Sequence, residues 1–283
     1  MILNTDKAVA KGIRRTINRF RENPFYYFTE SDIHASLYRD ILYGNSDKFY
    51  LPSTMDKIRL SIVHLEYPTN FKFSRKEINS EGDVLTDGIK KTRGNFDLVI
   101  LKEELLRDIA NTNRNNLIEF LKFIISKNIA KHEHIYKLLG YQEGELIDYA
   151  IEVKFFHFSN TTQNMFEEVK IDNLKLEQSI DLKANIKPVN LIFCYYWSDG
   201  NKNKKCECRL ENFRKNLKFG KIGIEHDPQN LIPEKVLNIF IEANINQDAV
   251  KETQRPVCYF NCGKEKLPEW VKSLTSGYDN YPK

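Results

Sequence analysis

Long apolar runs are missing from this sequence: no stretch approaches the roughly 20 consecutive apolar residues that a membrane-spanning helix requires. A role as a helical membrane protein is thereby excluded, and no membrane partner is expected. The first residues, MILNTDKAVAKGIRRTINRF, carry none of the apolar core of a secretory signal, so the expected location is the cytoplasm. Cysteine is scarce as well, with five residues, an odd number without the regular spacing of a disulfide framework. Cys194 reads as core. The other four fall in two close pairs, Cys206/Cys208 and Cys258/Cys262, which a tetrahedral structural Zn2+ would join if the fold brought them together. Neither C-x-C nor C-x3-C is the commoner C-x2-C spacing, and thiols on separate strands or turns are the favoured reading. A strong excess of one charge is also lacking: 43 basic against 39 acidic residues leave a net +4, too little to demand a polyanionic partner. What is present is ordinary for a globular chain. With 283 residues, 41% hydrophobic and 29% charged, one large domain or two modest ones can bury a substantial core.

The chain is organised around DYAIEVKFFHF, residues 148–158, which alternates like a buried strand and is interrupted by Glu152 and Lys154. Side chains two apart in a strand share a face, so Ala150, Glu152, Lys154 and Phe156 lie on one side and Tyr149, Ile151, Val153 and Phe155 on the other. Burying both charges is costly unless they pair or hold something between them. A simple ion pair or a strand edge near solvent is the plainer account of an isolated E-x-K. A second interrupted strand, RGNFDLVIL at 93–101, changes the weighting, because Asp97 there sits among Phe96, Leu98, Val99 and Ile100. Two strands bringing an aspartate and a glutamate to one point make a hard-oxygen site suited to Mg2+.

These features, an acid on one strand, E-x-K on another and an upstream helical acid, resemble the PD-(D/E)XK nuclease superfamily, which has the restriction-endonuclease-like fold. The matching positions are Asp97, Glu152 and Lys154, with Glu30 as the helical acid, and the resemblance spans about residues 29–198. Asp97 and Glu152 are separated by more than the family's usual hairpin, and Phe96 stands where the family's name has proline. The resemblance implies an α/β fold with a mixed central sheet flanked by helices. It also implies that Asp97, Glu152 and the Val153 carbonyl hold Mg2+, or Mn2+ in its place, with Glu30 as a helper ligand and Lys154 serving the attacking water.

Along the chain, residues 7–21 read as a basic amphipathic helix with Val9, Ile13, Ile17 and Phe20 on its inner stripe. A solvated helix packed by that stripe is favoured over one lying on a phosphate backbone. The aromatic run Phe25, Tyr26, Tyr27 and Phe28 is expected in the core rather than as a base-stacking platform. Thr29 and Asp32 give a helix-capping pattern, followed by an inner stripe of Ile33, Leu37 and Ile41. Glu30 falls on or beside this stripe, where the helix dipole alone also favours an acid. Residues 57–67 read as a strand closed by Pro68, with Ile58, Leu60, Ile62, His64 and Glu66 on one face and Glu66 as a reserve acid. Residues 70–92 read as a loop or irregular hairpin.

Residues 102–147 have helical periodicity and form an insertion between the two acid-bearing strands; His132, Glu133 and His134 within it read as surface residues, since positions two apart on a helix do not converge. Residues 161–179 are expected to be helical with a possible break near Asp172, and 189–197 form an apolar strand covered on both faces. Strand, helix, strand in that order suggests a right-handed crossover joining a parallel pair. Residues 235–245 fit helix or strand equally. The domain expectation is a core over 1–198 with a basic C-terminal extension, 199–283, packed on it. Within that extension Lys202, Lys204, Lys205, Arg209, Arg214, Lys215 and Lys218 are the candidate phosphate contacts, with a solvated charged face as the alternative.

The expected function is a metal-dependent endonuclease hydrolysing phosphodiester bonds, with DNA as the favoured nucleic-acid partner and a homodimer as one possible assembly. A nucleic-acid-binding or regulatory protein that keeps the fold but lacks turnover is the alternative.

Overall fold

The computed structural model describes residues 5–42, 50–52, 59–74, 91–104, 147–157, 162–180, 186–198, 210–215, 220–221, 236–246, 257–260 and 271. These residues form a mixed α/β structure in two compact units. One comprises Met1–Lys48, Val153–Val169 and Val189–Lys283, and the other Phe49–Glu152 with Lys170–Pro188.

In the first unit, helix α1 (Thr5–Glu22) buries the expected stripe of Val9, Ile13, Ile17 and Phe20. It packs on α2 (Glu30–Leu42), whose Ile33, Leu37 and Ile41 are fully buried. Gly12 permits this approach, because a Cβ at that position would stand 2.4 Å from Ile41 Cγ1 and 2.7 Å from Ile41 Cα. The start of α2 carries the expected cap. Thr29 Oγ1 accepts from the Asp32 amide at 3.3 Å, and Asp32 Oδ2 accepts from the amides of Phe28 and Thr29, each at 2.9 Å.

The sheet of this unit is mixed and five-stranded, in the order β5 (Ile147–His157), β6 (Lys187–Ser198), β8 (Leu237–Asn246), β9 (Val257–Phe260), β7 (Gly220–Lys221). Strand β6 runs parallel to β8, from Val189 opposite Leu237 to Ser198 opposite Asn246, whereas β9 is antiparallel to both β8 and β7. Helices flank it. Ile192 and Cys194 pack with Met165 and Val169 of α3 (Thr162–Ile180), while Phe193, one residue out of phase, meets Phe20 of α1 at 5.2 Å between ring centroids. Both faces of β6 are thus covered, which explains its near-continuous apolar run. Residues 237–246, ambiguous in sequence, are strand, since Ile239, Phe240 and Ile241 are buried consecutively between neighbours on both sides.

The aromatic run does not form core as a block. Pro24–Tyr26 is a single 3-10 turn, and Phe25, Tyr26 and Phe28 are 45%, 73% and 78% exposed, whereas only Tyr27 turns inward to meet Phe20. A turn of three residues followed by an extended one cannot put four consecutive side chains on one side.

In the second unit, β1 (Tyr50–Pro52) pairs antiparallel with β2 (Arg59–Ser61), and β3 (Val63–Ser74), β4 (Lys91–Leu101) and the first part of β5 form an antiparallel ladder in that order. Pro68 does not close its strand. It lies where the β3–β4 register shifts between Pro68 and Lys72, on a strand that among the described residues pairs on one side only, where a missing N–H is tolerated. The expected common face over 58–66 breaks at Ile62, so Val63 and Tyr67 are buried while Glu66 is exposed with φ of 50°. Helix α3 runs unbroken through Asp172, because a helical aspartate costs under about 1 kcal/mol and Val169 and Leu176 on either side are fully buried. Most of the expected helical insertion and the His132 to His134 group fall outside the described residues, apart from helical residues 103–104. No described helix is long and apolar enough to cross a membrane.

Candidate metal centre

Strand pairing brings the two sequence-predicted acids together. In the antiparallel β4–β5 ladder Leu98 lies opposite Ile151 and Val99 opposite Ala150, and Asp97 and Glu152, the residues next along each strand, are close enough for the Asp97 charge to act on Glu152. Asp97 is half-buried and Glu152 is 1% exposed. From α3, Asp172 and Lys175, three residues apart and therefore on one helix face, complete the group, and both are buried. Lys175 Nζ stands 2.5 Å from Glu152 Oε2, donates to the Asn95 carbonyl at 2.8 Å and lies 5.9 Å from the Phe96 ring centroid.

The electrostatics are those of crowded carboxylates. Burial pushes the Glu152 carboxyl well above the usual range, the Asp97 and Asp172 charges push in the same direction, and Lys175 opposes them. Glu152 Oε1 is buried and accepts no hydrogen bond among the described residues. A desolvated oxygen left this way is costly in a settled core, and a hard divalent cation satisfies such an atom directly. Three carboxyl groups against one ammonium, all oxygen donors on the anionic side, are the donor set that suits Mg2+ or Mn2+. The residues present therefore fit the metal that the sequence resemblance implies.

Lys154 and Glu30 fall in the first unit, where they bind each other: Lys154 Nζ lies 3.2 Å from Oε1 and 3.4 Å from Oε2 of Glu30. The E-x-K pair is consequently not an internal ion pair, for Glu152 takes Lys175 and Lys154 takes Glu30. Glu30 is the first residue of α2, so its carboxylate also sits in the favourable field of the helix start. Val153 is buried on β5 between the two charged residues.

Asp172 and Lys175 are the residues that sequence reasoning missed. The signal was there: Asp172 follows Val169 by three and precedes Leu176 by four, which places a charge on the apolar stripe of α3. Among the other candidates, Arg214 pairs with Glu242 at 2.5 Å and Lys215 with Glu211 at 2.8 Å. Lys202, Lys204, Lys205, Arg209 and Lys218 lie outside the described residues, as do Cys206, Cys208 and Cys262. Cys258 is on β9 and Cys194 is buried in β6 as expected. Glu66, the reserve acid, receives Asn95 Nδ2 at 3.5 Å on the exposed side of β3. Comparison with known proteins finds no matching family model, no similar curated protein and no similar solved structure.

Proposed function

We propose that this chain is a metal-dependent phosphodiesterase that cleaves nucleic acid, with DNA as the favoured substrate and a restriction-endonuclease-like arrangement of its acid-bearing strands. The observation that carries this reading is the grouping of half-buried Asp97 with buried Glu152 and Asp172, with one Glu152 oxygen unsatisfied. Asp97 and Glu152 would hold Mg2+ or Mn2+, with Asp172 in support. When bound, such an ion supplies charge neutralisation at a phosphate oxygen and acidifies a water molecule. The protein's own contribution is positional. Pairing of β4 with β5 sets the strands that carry the two acids side by side, and Lys175, which contacts Glu152, also contacts Asn95 and Phe96. By the sequence resemblance Lys154, which Glu30 contacts in the first unit, would be the cation that serves the nucleophilic water.

A second reading has one observation in its favour. Lys175 already neutralises Glu152, as it would in an inert structural cluster of a nucleic-acid-binding or regulatory protein. Loss of supercoiled plasmid in Mg2+ or Mn2+, measured beside Lys154→Ala, separates the two. Cleavage by the wild type that falls with the variant supports the phosphodiesterase; binding without cleavage by either supports the second reading.

A further inference from the structure

The elbow between α1 and α2 forms a concave site of its own, built wholly within the first unit and independent of the carboxylate cluster. It is a cavity of about 850 Å³, inside the roughly 300–1,000 Å³ range of sites that take small organic groups. Arg15 and Arg19, one turn apart on α1, face it from one side, Ser36 and Arg39 of α2 from the other, and Tyr26 and Tyr27 close the end where the helices join.

The buried Asp40 gathers the three arginines beneath this cavity. Its Oδ1 lies 3.1 Å from Arg19 Nη2 and 3.5 Å from Arg39 Nε, and its backbone carbonyl is 3.5 Å from Arg15 Nη1. Thr16 Oγ1 donates to the second carboxylate oxygen at 3.1 Å, so the anchor itself is fixed. On the α2 side Arg39 Nη2 donates to Ser36 Oγ at 3.1 Å, and Ser36 shares a hydrogen bond with the Tyr27 hydroxyl at 3.2 Å. Each guanidinium carries five N–H donors, and the contacts to Asp40 and Ser36 hold the forks of Arg19 and Arg39 in place. The arginines are also close to half exposed at Arg19 and Arg39. Of the acids lining the cavity, Asp32 is committed to the α2 cap, and Glu22 is exposed.

Pre-positioned arginine forks are the protein's best device for a phosphate group. Beside them stands Tyr26, 73% exposed, flanked by the exposed Phe25 and Phe28. An aromatic ring kept in water next to guanidinium groups is a stacking platform for a nucleobase. A base inside a duplex has no free face to offer it. We propose that this elbow binds one unpaired nucleotide of a single-stranded nucleic acid, with Arg15, Arg19 and Arg39 taking the phosphate and Tyr26 stacking on the base.

The test is fluorescence anisotropy of a labelled oligothymidylate with the full chain in EDTA, over a range of salt, so that binding is read without any cleavage. Tyr26→Ala, at an exposed position, is expected to weaken binding roughly 5- to 100-fold. Arg15→Gln is expected to lower the slope of log affinity against log salt by about 0.7 for each phosphate no longer neutralised. Arg15→Lys should keep that slope and still bind more weakly, because a point charge replaces a fork. Thermal melts confirm that each variant is folded. No oligonucleotide binding by the wild type, or wild-type affinity and slope in both Tyr26→Ala and Arg15→Gln, overturns the proposal. Thymidine monophosphate competing as well as the oligomer per nucleotide overturns the strand assignment in favour of a free nucleotide. A chain that binds in this Tyr26-dependent way yet cuts nothing in Mg2+ keeps the elbow site while the phosphodiesterase reading fails; cutting with no effect of these variants does the reverse.

Discussion

Glu152 is held by Lys175, twenty-three positions away on α3, and not by Lys154, its neighbour on the same face of β5: Nζ of Lys175 stands 2.5 Å from Glu152 Oε2 with both side chains buried. This relationship ties the stability of the cluster to its candidate chemistry, because the same buried carboxyl group that Lys175 contacts is the one proposed to hold the metal.

Replacing Lys175 by Met is therefore expected to destabilise the metal-free protein increasingly as pH rises above 4.5, because the buried Glu152 carboxyl loses the ammonium that opposes the upward shift of its pKa. Saturating Mg2+ should recover part of this loss by binding the folded state. Urea denaturation with and without Mg2+ measures both. A loss below about 1 kcal/mol, unchanged by metal, would show that Glu152 is not a charge in need of a partner.

Glu152 also sets a pH dependence whose sign is fixed. Its folded-state pKa is raised above the ordinary value of 4.5, chiefly by burial, so its contribution is fully present below the ordinary carboxylate range and is lost as pH rises through the folded value. The difference in unfolding free energy between wild type and Glu152→Gln in EDTA should move against the wild type as pH climbs from 4.5 toward neutrality. Asp97→Asn should shrink that difference, since the Asp97 charge is part of what raises Glu152. A pH-independent difference would contradict the assignment.

Lys154→Met separates stability from turnover. Its partner Glu30 is partly exposed, so losing the pair should cost within about 1 kcal/mol. Single-turnover cleavage, by contrast, should fall by roughly two to four powers of ten if Lys154 serves the nucleophile. Near wild-type turnover in a folded variant would remove Lys154 from the chemistry.

The two acid-bearing strands are legible in the sequence because a lone charge inside an apolar alternation has few physical explanations, and the β4–β5 register turns that pattern into proximity of Asp97 and Glu152. The stripes of α1 and α2 and the Thr29/Asp32 cap are legible for the same reason, as each depends on local spacing alone. Lys175 was not, because its role depends on which strand α3 covers, and a lysine in a mixed-polarity helix reads by default as a solvated one. The exposure of Tyr26 was equally hidden: hydrophobicity argues for burial, and only the 3-10 turn at Pro24–Tyr26 carries the ring outward.

Gly12→Ala tests the α1–α2 packing. The added methyl would meet Ile41 backbone and side chain at 2.4 to 2.9 Å, and the helices must part to admit it. Overpacking of this kind typically costs about 1–3 kcal/mol, more than the helix propensity gained by alanine. A thermal melt showing equal or greater stability would contradict the close approach of α1 and α2.

The central claim is that Asp97 and Glu152 form a divalent-cation site that cleaves phosphodiester bonds. Single-turnover cleavage of end-labelled single- and double-stranded DNA in Mg2+ and in Mn2+, comparing wild type with Asp97→Ala at matched folded concentration, tests it most directly. The account predicts cleavage by the wild type that is abolished by EDTA and reduced at least about a hundred-fold in Asp97→Ala. No metal-dependent cleavage by the wild type, or full activity in Asp97→Ala, would contradict it.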